Sequence, residues 1–231
     1  MPPPTKQVTR DSLLPSMRLA PDASPQIYRL TPTTVAKTGD LVSLSEAAVM
    51  RLVRSKTSIP VPQVLDAYIR TEDGSGHGCI IMEYVEGETL DKAWEACTPT
   101  QKDGIVKQLK SRLATDGPRT YAGLARSLRE RRQNTWIDMV CRFIDALPHN
   151  HQIVLTHNDL APRNILVREG RVVALLDWEL AGFYPEHWEY VKTLFWPEWN
   201  SSWIKDGIVD RILDPYTLEL ACLLHARDII W

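Results

Sequence analysis

Glycine is missing from the first part of this chain of 231 residues, because none precedes Gly39. Cysteine is scarce as well, and its four widely spaced residues include no CxxC pair, which argues against a zinc site. No apolar run reaches the length of a membrane span, and residues 1–10 lack the apolar core of a secretory signal. We therefore expect reduced thiols and a cytoplasmic protein.

Net charge is also small, at −2 for pH 7, with 24% charged residues. Such a balance gives no reason to expect a nucleic-acid partner or an anionic membrane partner. The apolar fraction of 44% is ordinary for a globular protein. A chain of this length can form one sizeable core or two small lobes that share a cleft, and its oligomeric state stays open.

Proline content and hydrophobic patterning divide the chain into three parts. Residues 1–25 contain six prolines, which favour a mostly extended arm. Residues 26–86 predict a small β-rich lobe of four strands and one helix, which begins at the capping box Ser43–Glu46. Residues 87–231 predict a larger, mainly helical lobe that contains a β-hairpin. The sequence therefore predicts an α+β fold with two lobes.

Within the larger lobe, apolar periodicity predicts six elements in addition to the Trp-rich C-terminal helices. The predicted helices are Leu90–Cys97, Gln101–Ala114 and Thr135–Leu147. The predicted strands are Ile153–Thr156, Ile165–Val167 and Val172–Leu176. The turn between the last two strands makes them a hairpin.

Polar side chains stand at one end of this hairpin. If Val167 pairs with Val172, then Asn164 lies opposite Leu175, and Asp177 follows two residues later at the same end. Diagonal neighbours across two strands are roughly 7–8 Å apart. One magnesium ion, with oxygen ligands at about 2.0–2.1 Å, could bridge such side chains and a phosphate.

Asp159 lies on the loop that leads into this same end of the hairpin, after the apolar strand that ends at Thr156. A single Asp or Asn here would be read as a turn residue that bonds to nearby backbone. Three such residues at fixed spacing, flanked by apolar strands, favour a site for metal and phosphate instead.

The spacing of these residues resembles that of a known enzyme family. Asp159 precedes Asn164 by five residues, as in the kinase catalytic loop, and Asp177 follows thirteen residues after Asn164. The segments HNDLAPRNILV and LLDWE resemble the two signatures of the aminoglycoside phosphotransferase and choline kinase family. The stretch AGFYPEHWEYVK resembles fungal members of that family. The resemblance extends from about Ile27 to about Trp196.

The resemblance implies a bilobal protein-kinase-like fold with a truncated β-rich N-lobe and a mainly helical C-lobe. It also implies transfer of the terminal phosphoryl group of ATP, with Mg²⁺, to a hydroxyl group of a small molecule. Asp159 would be the catalytic base, and Asn164 and Asp177 would bind the metal. His157 would support the loop. Arg163 is either a phosphate contact or a surface charge.

The N-terminal lobe carries further features that the resemblance assigns to the nucleotide. Lys37 resembles the strand lysine that binds the α- and β-phosphates, although a lysine on an edge strand also prevents aggregation. Glu46 resembles the helix glutamate that pairs with that lysine, although it is equally the capping-box partner of Ser43. The strand that leads into the kinase hinge would contact adenine through the side chain of Met82 and the backbone of Glu83 and Val85.

The acceptor is less well defined by the resemblance. An amine-bearing acceptor is one candidate, because three glutamates follow the metal aspartate and could face a cation. The alternative is that they are helix-surface charges. These residues are Glu179, Glu186 and Glu189.

Three departures from the family pattern leave a second hypothesis open. The glycine-rich phosphate loop is missing, and Asp22–Pro25 stands in its place. The acceptor region that often carries a longer insertion is short, at residues 115–134, and Asn158 stands where the family often has glycine. The alternative to an active kinase is therefore a kinase-like binding or interaction module without turnover.

Overall fold

The computed structural model describes residues 8, 13–19, 25–71, 76–113, 151–195 and 201–230, with residues 225–230 described by their backbone alone. The predicted helix Thr135–Leu147 lies outside the described residues. Most of the turn that stands in place of the glycine-rich loop, residues 20–24, lies outside them too.

A four-stranded antiparallel sheet with one helix forms the smaller lobe. Its elements are β1 (Gln26–Thr31), β2 (Thr34–Gly39), α1 (Leu44–Lys56), β3 (Val64–Arg70) and β4 (His77–Glu83), and the strand order is β1-β2-β4-β3. Helix α1 packs on the sheet through a cluster of Val42, Ala47 and Ile80. Gly78 permits this approach, since a Cβ there would lie 1.9 Å from the carbonyl oxygen of Val42.

Two alternative interpretations in this lobe are wrong. Lys37 does not lie on an edge strand, because β2 is paired with β1 on one side and with β4 on the other. Glu46 does not complete a capping box. Ser43 accepts a hydrogen bond from the backbone N–H of Ser45 at 3.2 Å, while the Glu46 side chain turns inward and is 2% exposed. Both side chains are therefore directed to the interior by long-range pairing.

The described part of the predicted N-terminal arm packs against the sheet. Arg18 forms a bridge with Tyr28, and the N–H of Leu19 donates to the carbonyl oxygen of Ile27 at 2.9 Å. A short strand-like segment thus precedes β1 and pairs with it.

The larger lobe contains two small sheets and several helices. Its strands are β5 (Glu88–Thr89), β6 (Ile153–Thr156), β7 (Ile165–Arg168), β8 (Arg171–Leu175) and β9 (Gly182–Pro185), arranged as β5-β7-β8 and β6-β9. Its helices are α2 (Leu90–Ala93), α3 (Pro99–Leu113), α4 (Trp188–Phe195), α5 (Ser202–Lys205), α6 (Ile208–Ile212) and α7 (Thr217–Ile230). Single 3₁₀ turns occur at Pro15–Met17, Trp94–Ala96 and Pro162–Asn164. The predicted α+β class is confirmed.

A single apolar core holds this lobe together. Residues Ile105 and Leu109 of α3 pack in one cluster with Leu175, Trp178 and the helices that follow. Burial of such side chains contributes about 1.5–3 kcal/mol each. Across the described parts of the chain, no helix is both long and apolar enough to cross a membrane.

The hairpin β7–β8 differs from the predicted register by one residue. Val167 pairs with Val172 as predicted, but the register shifts between Leu166 and Val167. The N–H of Leu176 consequently donates to the carbonyl oxygen of Asn164 at 2.8 Å. The predicted pairing of Asn164 with Leu175 is therefore wrong, because a bulge moves the partner by one position. The bulge brings Asp177 one residue closer to Asn164 along the strand.

Candidate active site

A buried ion pair joins the two lobes. Lys37 Nζ lies 2.8 Å from Glu46 Oε1 and 2.7 Å from Asp177 Oδ1. The side chains of Lys37 and Glu46 are 5% and 2% exposed, whereas that of Asp177 is 34% exposed. Burial alone would lower the pKa of Lys37, but the carboxylates of Glu46 and Asp177 outweigh it and raise the pKa. Lys37 is therefore a charged ammonium group inside the cleft.

The loop before β7 holds Asp159 in a fixed position. Asn164 Nδ2 donates to the backbone oxygen of Asp159 at 2.9 Å and to its Oδ2 at 2.8 Å. Because the amide nitrogen is committed to these two acceptors, the amide oxygen of Asn164 remains for another partner. Arg163 Nη2 lies 2.6 Å and 2.8 Å from the two carboxylate oxygens of Asp159. The carboxylate is thus bound from two sides.

His157 connects this loop to the strand that ends before Asp177. Its Nε2 lies 2.8 Å from the carbonyl oxygen of Leu176, so this nitrogen carries the proton. Its Nδ1 accepts the N–H of Asp159 at 3.3 Å. Burial lowers the pKa of His157, which keeps the ring neutral, and the ring packs 4.6 Å from that of Trp178. The geometry suits a residue that orients the loop.

Two residues of the site have left-handed backbone conformations. The φ angles are 67° at Asn158 and 63° at Asp177, a region in which Asn and Asp are enriched among non-glycine residues. Asn158 Nδ2 donates to the carbonyl oxygen of Leu180 at 3.0 Å, and its Oδ1 accepts from Trp188 Nε1 at 3.0 Å. These bonds explain how Asn158 occupies a position where glycine would be expected.

The three glutamates predicted as acceptor contacts lie in three different environments. Glu189 accepts the backbone N–H groups of His157 at 2.5 Å and Asn158 at 3.1 Å, so it supports the loop instead of facing a ligand. Glu179 Oε2 lies 3.6 Å from Lys37, and Glu186 Oε1 lies 3.3 Å from His151 Nδ1. None of the three lines the cavity beside Asp159 that is described below. The structure therefore does not bring the three glutamates together at that cavity.

Replacement of Glu189 with Gln is expected to change how stability depends on pH. Burial raises the pKa of Glu189 to about 7, and the N–H groups of His157 and Asn158 oppose this only in part. The folded pKa of Glu189 exceeds the ordinary value of 4.5. The stability that the protonated Glu189 carboxyl contributes is therefore complete below pH 4.5 and is lost as the pH rises through about 7. The free energy of unfolding of the wild type, relative to Glu189→Gln, should fall across this range in urea denaturation.

Glu86→Gln is the matched control for that experiment. The Glu86 side chain is 78% exposed and lies 3.6 Å from Arg168 across the surface. Exposed pairs of this kind contribute little. The control should therefore differ only slightly from the wild type. A pH-independent difference for Glu189→Gln would contradict the assignment.

A cleft of about 700 Å³ lies between the two lobes. Among the residues predicted for the nucleotide and metal, those that line it are Lys37, Glu46, Met82, Glu83, Val85, Arg163, Asn164 and Asp177. The N–H of Glu83 donates to the carbonyl oxygen of Gln63 at 2.9 Å, so this donor is not available to a ligand. A ligand contact at Glu83 would have to use its carbonyl oxygen.

A second cavity, of about 410 Å³, opens on the other side of the loop. Asp159 and Arg163 line it, together with Asp91, Lys192 and Trp203. Arg163 lines both cavities, and the neighbouring Asn164 lines the first. The carboxylate of Asp159 therefore stands where a molecule in the second cavity would meet a molecule in the cleft.

Residues Asp91, Lys192 and Trp203 were not identified from the sequence as parts of a site. They belong to α2, α4 and α5, and α2 lies about a hundred residues before the other two helices and meets them only through packing. A single sequence contains no spacing signal for such contacts. Lys192 does close the stretch AGFYPEHWEYVK, which was the one available hint.

The residues at the edge of the cleft suit a magnesium ion that is bound to a phosphate. Asn164 and Asp177 offer hard oxygen donors of the kind that Mg²⁺ prefers. In the described ranges, no group of three or more His, Cys, Asp and Glu side chains could hold a metal by itself. Mg²⁺ usually binds through one or two carboxylates together with substrate phosphates and water, so two protein ligands fit it.

Two curated proteins are similar to parts of this chain. A subtelomeric hrmA-associated cluster protein of Aspergillus fumigatus is 33% identical over 84 residues, which are 36% of this chain and 16% of that protein. Hygromycin-B 4-O-kinase of Escherichia coli is 22% identical over 180 residues, which are 63% of this chain and 50% of the enzyme. The chain thus matches half or less of the length of these relatives.

Solved structures of aminoglycoside phosphotransferases share the fold. A thermostable mutant of APH(4)-Ia in its apo form superposes with a TM-score of 0.63 at 17% identity, over 92% of this chain and 84% of that one. The streptomycin–ATP ternary complex of APH(2")-IIa gives 0.60 at 11% identity, over 93% and 84%. The predicted bilobal kinase-like fold is confirmed. The profile of the phosphotransferase enzyme family matches residues 18–219, and the chain belongs to this family.

Proposed function

We propose that this protein is an ATP- and magnesium-dependent phosphotransferase that moves the terminal phosphoryl group to a hydroxyl group of a small molecule. One observation carries the proposal. The loop from Asp159 to Asn164 separates two cavities, with Asp159 lining the smaller one and Asn164 lining the cleft that holds Lys37 and Asp177. A nucleotide in the cleft and an acceptor in the second cavity would meet at this loop.

Asp159 would act as the general base. The acceptor hydroxyl oxygen forms a bond to the γ-phosphorus while its proton passes to a carboxylate oxygen of Asp159. The bond between the γ-phosphorus and the bridging oxygen breaks, and ADP leaves with that electron pair. Asn164 keeps the carboxylate aimed at the acceptor through its bonds of 2.8 Å and 2.9 Å to Asp159.

The nucleotide would be bound by groups of both lobes. Lys37, which Glu46 orients, is proposed to contact the α- and β-phosphates, and Met82 and Val85 to flank the adenine. Asn164 and Asp177 would hold magnesium, which neutralises charge on the β- and γ-phosphates when bound. The ternary complex of the structural relative APH(2")-IIa contains ATP, which supports this use of the cleft.

Arg163 has a proposed role at the boundary between the cavities. Its side chain is 59% exposed and bonds to both carboxylate oxygens of Asp159. An acceptor hydroxyl needs access to one of those oxygens, so Arg163 would have to release at least one of them. The proposed γ-phosphate would be the anion nearest to the Arg163 guanidinium at this boundary. The released guanidinium would therefore contact the γ-phosphate.

A kinase-like binding module without turnover is the alternative. The absence of glycine before Gly39 favours it, because a phosphate cradle built on bare backbone N–H groups is not encoded there. The arrangement of Lys37, Asp159 and Asp177 favours the enzyme. The two functions differ in whether the cleft binds nucleotide together with metal.

Stabilisation by ATP and Mg²⁺ tests the proposal. The melting temperature of the wild type is expected to rise only when both are present. The size of the rise follows from mass action, since a ligand at 100 times its dissociation constant adds about 2.7 kcal/mol of stability. Asp177→Asn should lose this rise, because it removes a metal-binding carboxylate while Asn tolerates the φ of 63° at this position.

Asp103→Asn is the control, since Asp103 pairs with Arg211 on the surface, away from the cleft. It should keep the full rise in melting temperature. No rise in the wild type under any combination of ATP and Mg²⁺ would count against the enzyme and in favour of the module.

A further inference from the structure

The cavity beside Asp159 has two chemically different walls. On one side, α2 and the turn after it present the exposed carboxylates of Asp91 and Glu95. On the other side, helices α4 and α5 contribute Lys192, Thr193 and Trp203. The second wall consists of hydrogen-bond donors, one of which is cationic.

Donors in this second wall lack acceptors. Among the described residues, no hydrogen-bond partner is found for the buried hydroxyl group of Thr193 or the buried indole N–H of Trp203, and Trp203 as a whole is 5% exposed. Leaving a buried polar group unpaired is costly, so such groups in a cavity wall indicate a missing partner. The Lys192 ammonium lies 5.9 Å above the Phe195 ring, and no carboxylate of a described residue lies within ion-pair distance of it.

The carboxylates of the cavity are largely committed to other groups. Both oxygens of Asp159 are bound by Arg163, and Glu95 accepts a hydrogen bond from the hydroxyl group of Ser202. Asp91 is the carboxylate in the wall for which no partner is found among the described residues. Arg163 is paired with Asp159, so Lys192 is the cation of the cavity for which no carboxylate partner is found among the described residues.

We propose that this cavity binds a small hydroxyl compound that also carries a carboxylate-type anionic group, with Lys192 as the residue that recognises the anion. The identity of the cavity as an acceptor site rests on the proposed function, whereas its preference for an anion rests on the donors themselves. Thr193 and Trp203 add neutral donors to the same wall. Asp91 leaves room for one amino group, so a hydroxy acid or a hydroxylated amino acid fits.

The test compares matched probes of one length in the absence of nucleotide. Binding of 4-hydroxybutyrate, butane-1,4-diol and 4-aminobutan-1-ol is measured by ligand-observed NMR titration. The wild type is expected to bind 4-hydroxybutyrate about tenfold more tightly than the diol and the amine, as one charge-assisted hydrogen bond permits. Lys192→Met should abolish this preference.

Lys205→Met is the matched control, since Lys205 is an exposed residue of α5 that does not line the cavity. It should keep the preference for 4-hydroxybutyrate. Equal binding of the three probes, tighter binding of the amine, or a preference that survives in Lys192→Met would each overturn the proposal. Circular dichroism checks that Lys192→Met is folded.

Failure of the proposed function would give a different result. If the protein does not transfer phosphoryl groups, no ADP forms from ATP in any assay, but the nucleotide-free preference for the carboxylate probe persists and is lost in Lys192→Met. If the anion preference is wrong, the three probes bind alike while ATP and Mg²⁺ still raise the melting temperature. The two experiments therefore separate the two claims.

Discussion

Replacement of Asp159 with Asn is expected to lower the rate of ATP turnover by about 10²–10⁴-fold, the usual contribution of a general base. The side-chain oxygen of Asn can still accept the hydrogen bond from Asn164 Nδ2, which is 2.8 Å from Asp159 Oδ2 in the wild type. The loop should therefore keep its conformation, and the loss should reflect missing base strength.

Slow hydrolysis of ATP, with water in place of the acceptor, gives an assay that needs no knowledge of the natural acceptor. The KM for ATP should change little in Asp159→Asn, because Asp159 lines the smaller cavity and not the cleft. Asp177→Asn should instead raise the magnesium concentration needed for half-maximal rate. This contrast separates a base from a metal ligand.

Arg163→Met supplies the comparison for Asp159→Asn. If Arg163 contacts the γ-phosphate, its loss should lower the rate and raise the KM for ATP. If it is a surface charge that rests on Asp159, its loss should leave the rate unchanged or increase it. An Asp159→Asn variant with wild-type turnover would contradict the assignment of the base whatever Arg163 does.

The local part of the site was predictable because its residues are close in sequence. Asp159, Asn164 and Asp177 belong to one loop and one hairpin, and turn and strand signals locate all three at the same end. The bulge between Leu166 and Val167 was not predictable, because no glycine or other local signal marks it. The fold class was predictable because the hydrophobic periodicity changes after Gly87 from a β-rich to a mainly helical pattern. Each pattern continues over a long segment of the chain.

Apart from the hairpin register, the features that the sequence left unresolved depend on contacts between distant segments. Lys37 was assigned an alternative place on an edge strand because the order β1-β2-β4-β3 cannot be read from one sequence. Glu189 was left as either a cation contact or a helix-surface charge, whereas its side chain accepts the backbone N–H of His157, a contact between α4 and a distant loop. Lys192 was missed for the same reason. Helix periodicity shows which residues share a face, but not what that face contacts.

The second large effect is expected at the buried pair of Lys37 and Glu46. Lys37→Met should lower the free energy of unfolding by about 3–5 kcal/mol, because removal of one partner leaves a buried charge uncompensated. Glu46 is 2% exposed, and no described residue forms a hydrogen bond with its second carboxylate oxygen. Asp177 is 34% exposed, so water can replace its bond to Lys37 at a smaller cost.

The pH dependence of this loss has a definite sign. Burial raises the pKa of Glu46, and Lys37 opposes the rise. Without Lys37 the folded pKa should be higher still, so stability contributed by the protonated carboxyl is present below the ordinary value of 4.5 and is lost as the pH rises. The deficit of Lys37→Met, measured by urea denaturation, should therefore be largest at neutral pH and shrink toward pH 4.5.

The double variant Lys37→Met/Glu46→Leu distinguishes stability from function. Replacing both members of a buried ion pair with apolar residues is often neutral or stabilising, so the double variant should recover most of the lost free energy of unfolding. It should nevertheless show no rise in melting temperature with ATP and Mg²⁺, because the ammonium group proposed to bind the phosphates is gone. A double variant as unstable as Lys37→Met would mean that the pair is required for the fold. A stable double variant that has lost nucleotide binding would mean that the ion pair is needed for the ligand and not for the fold.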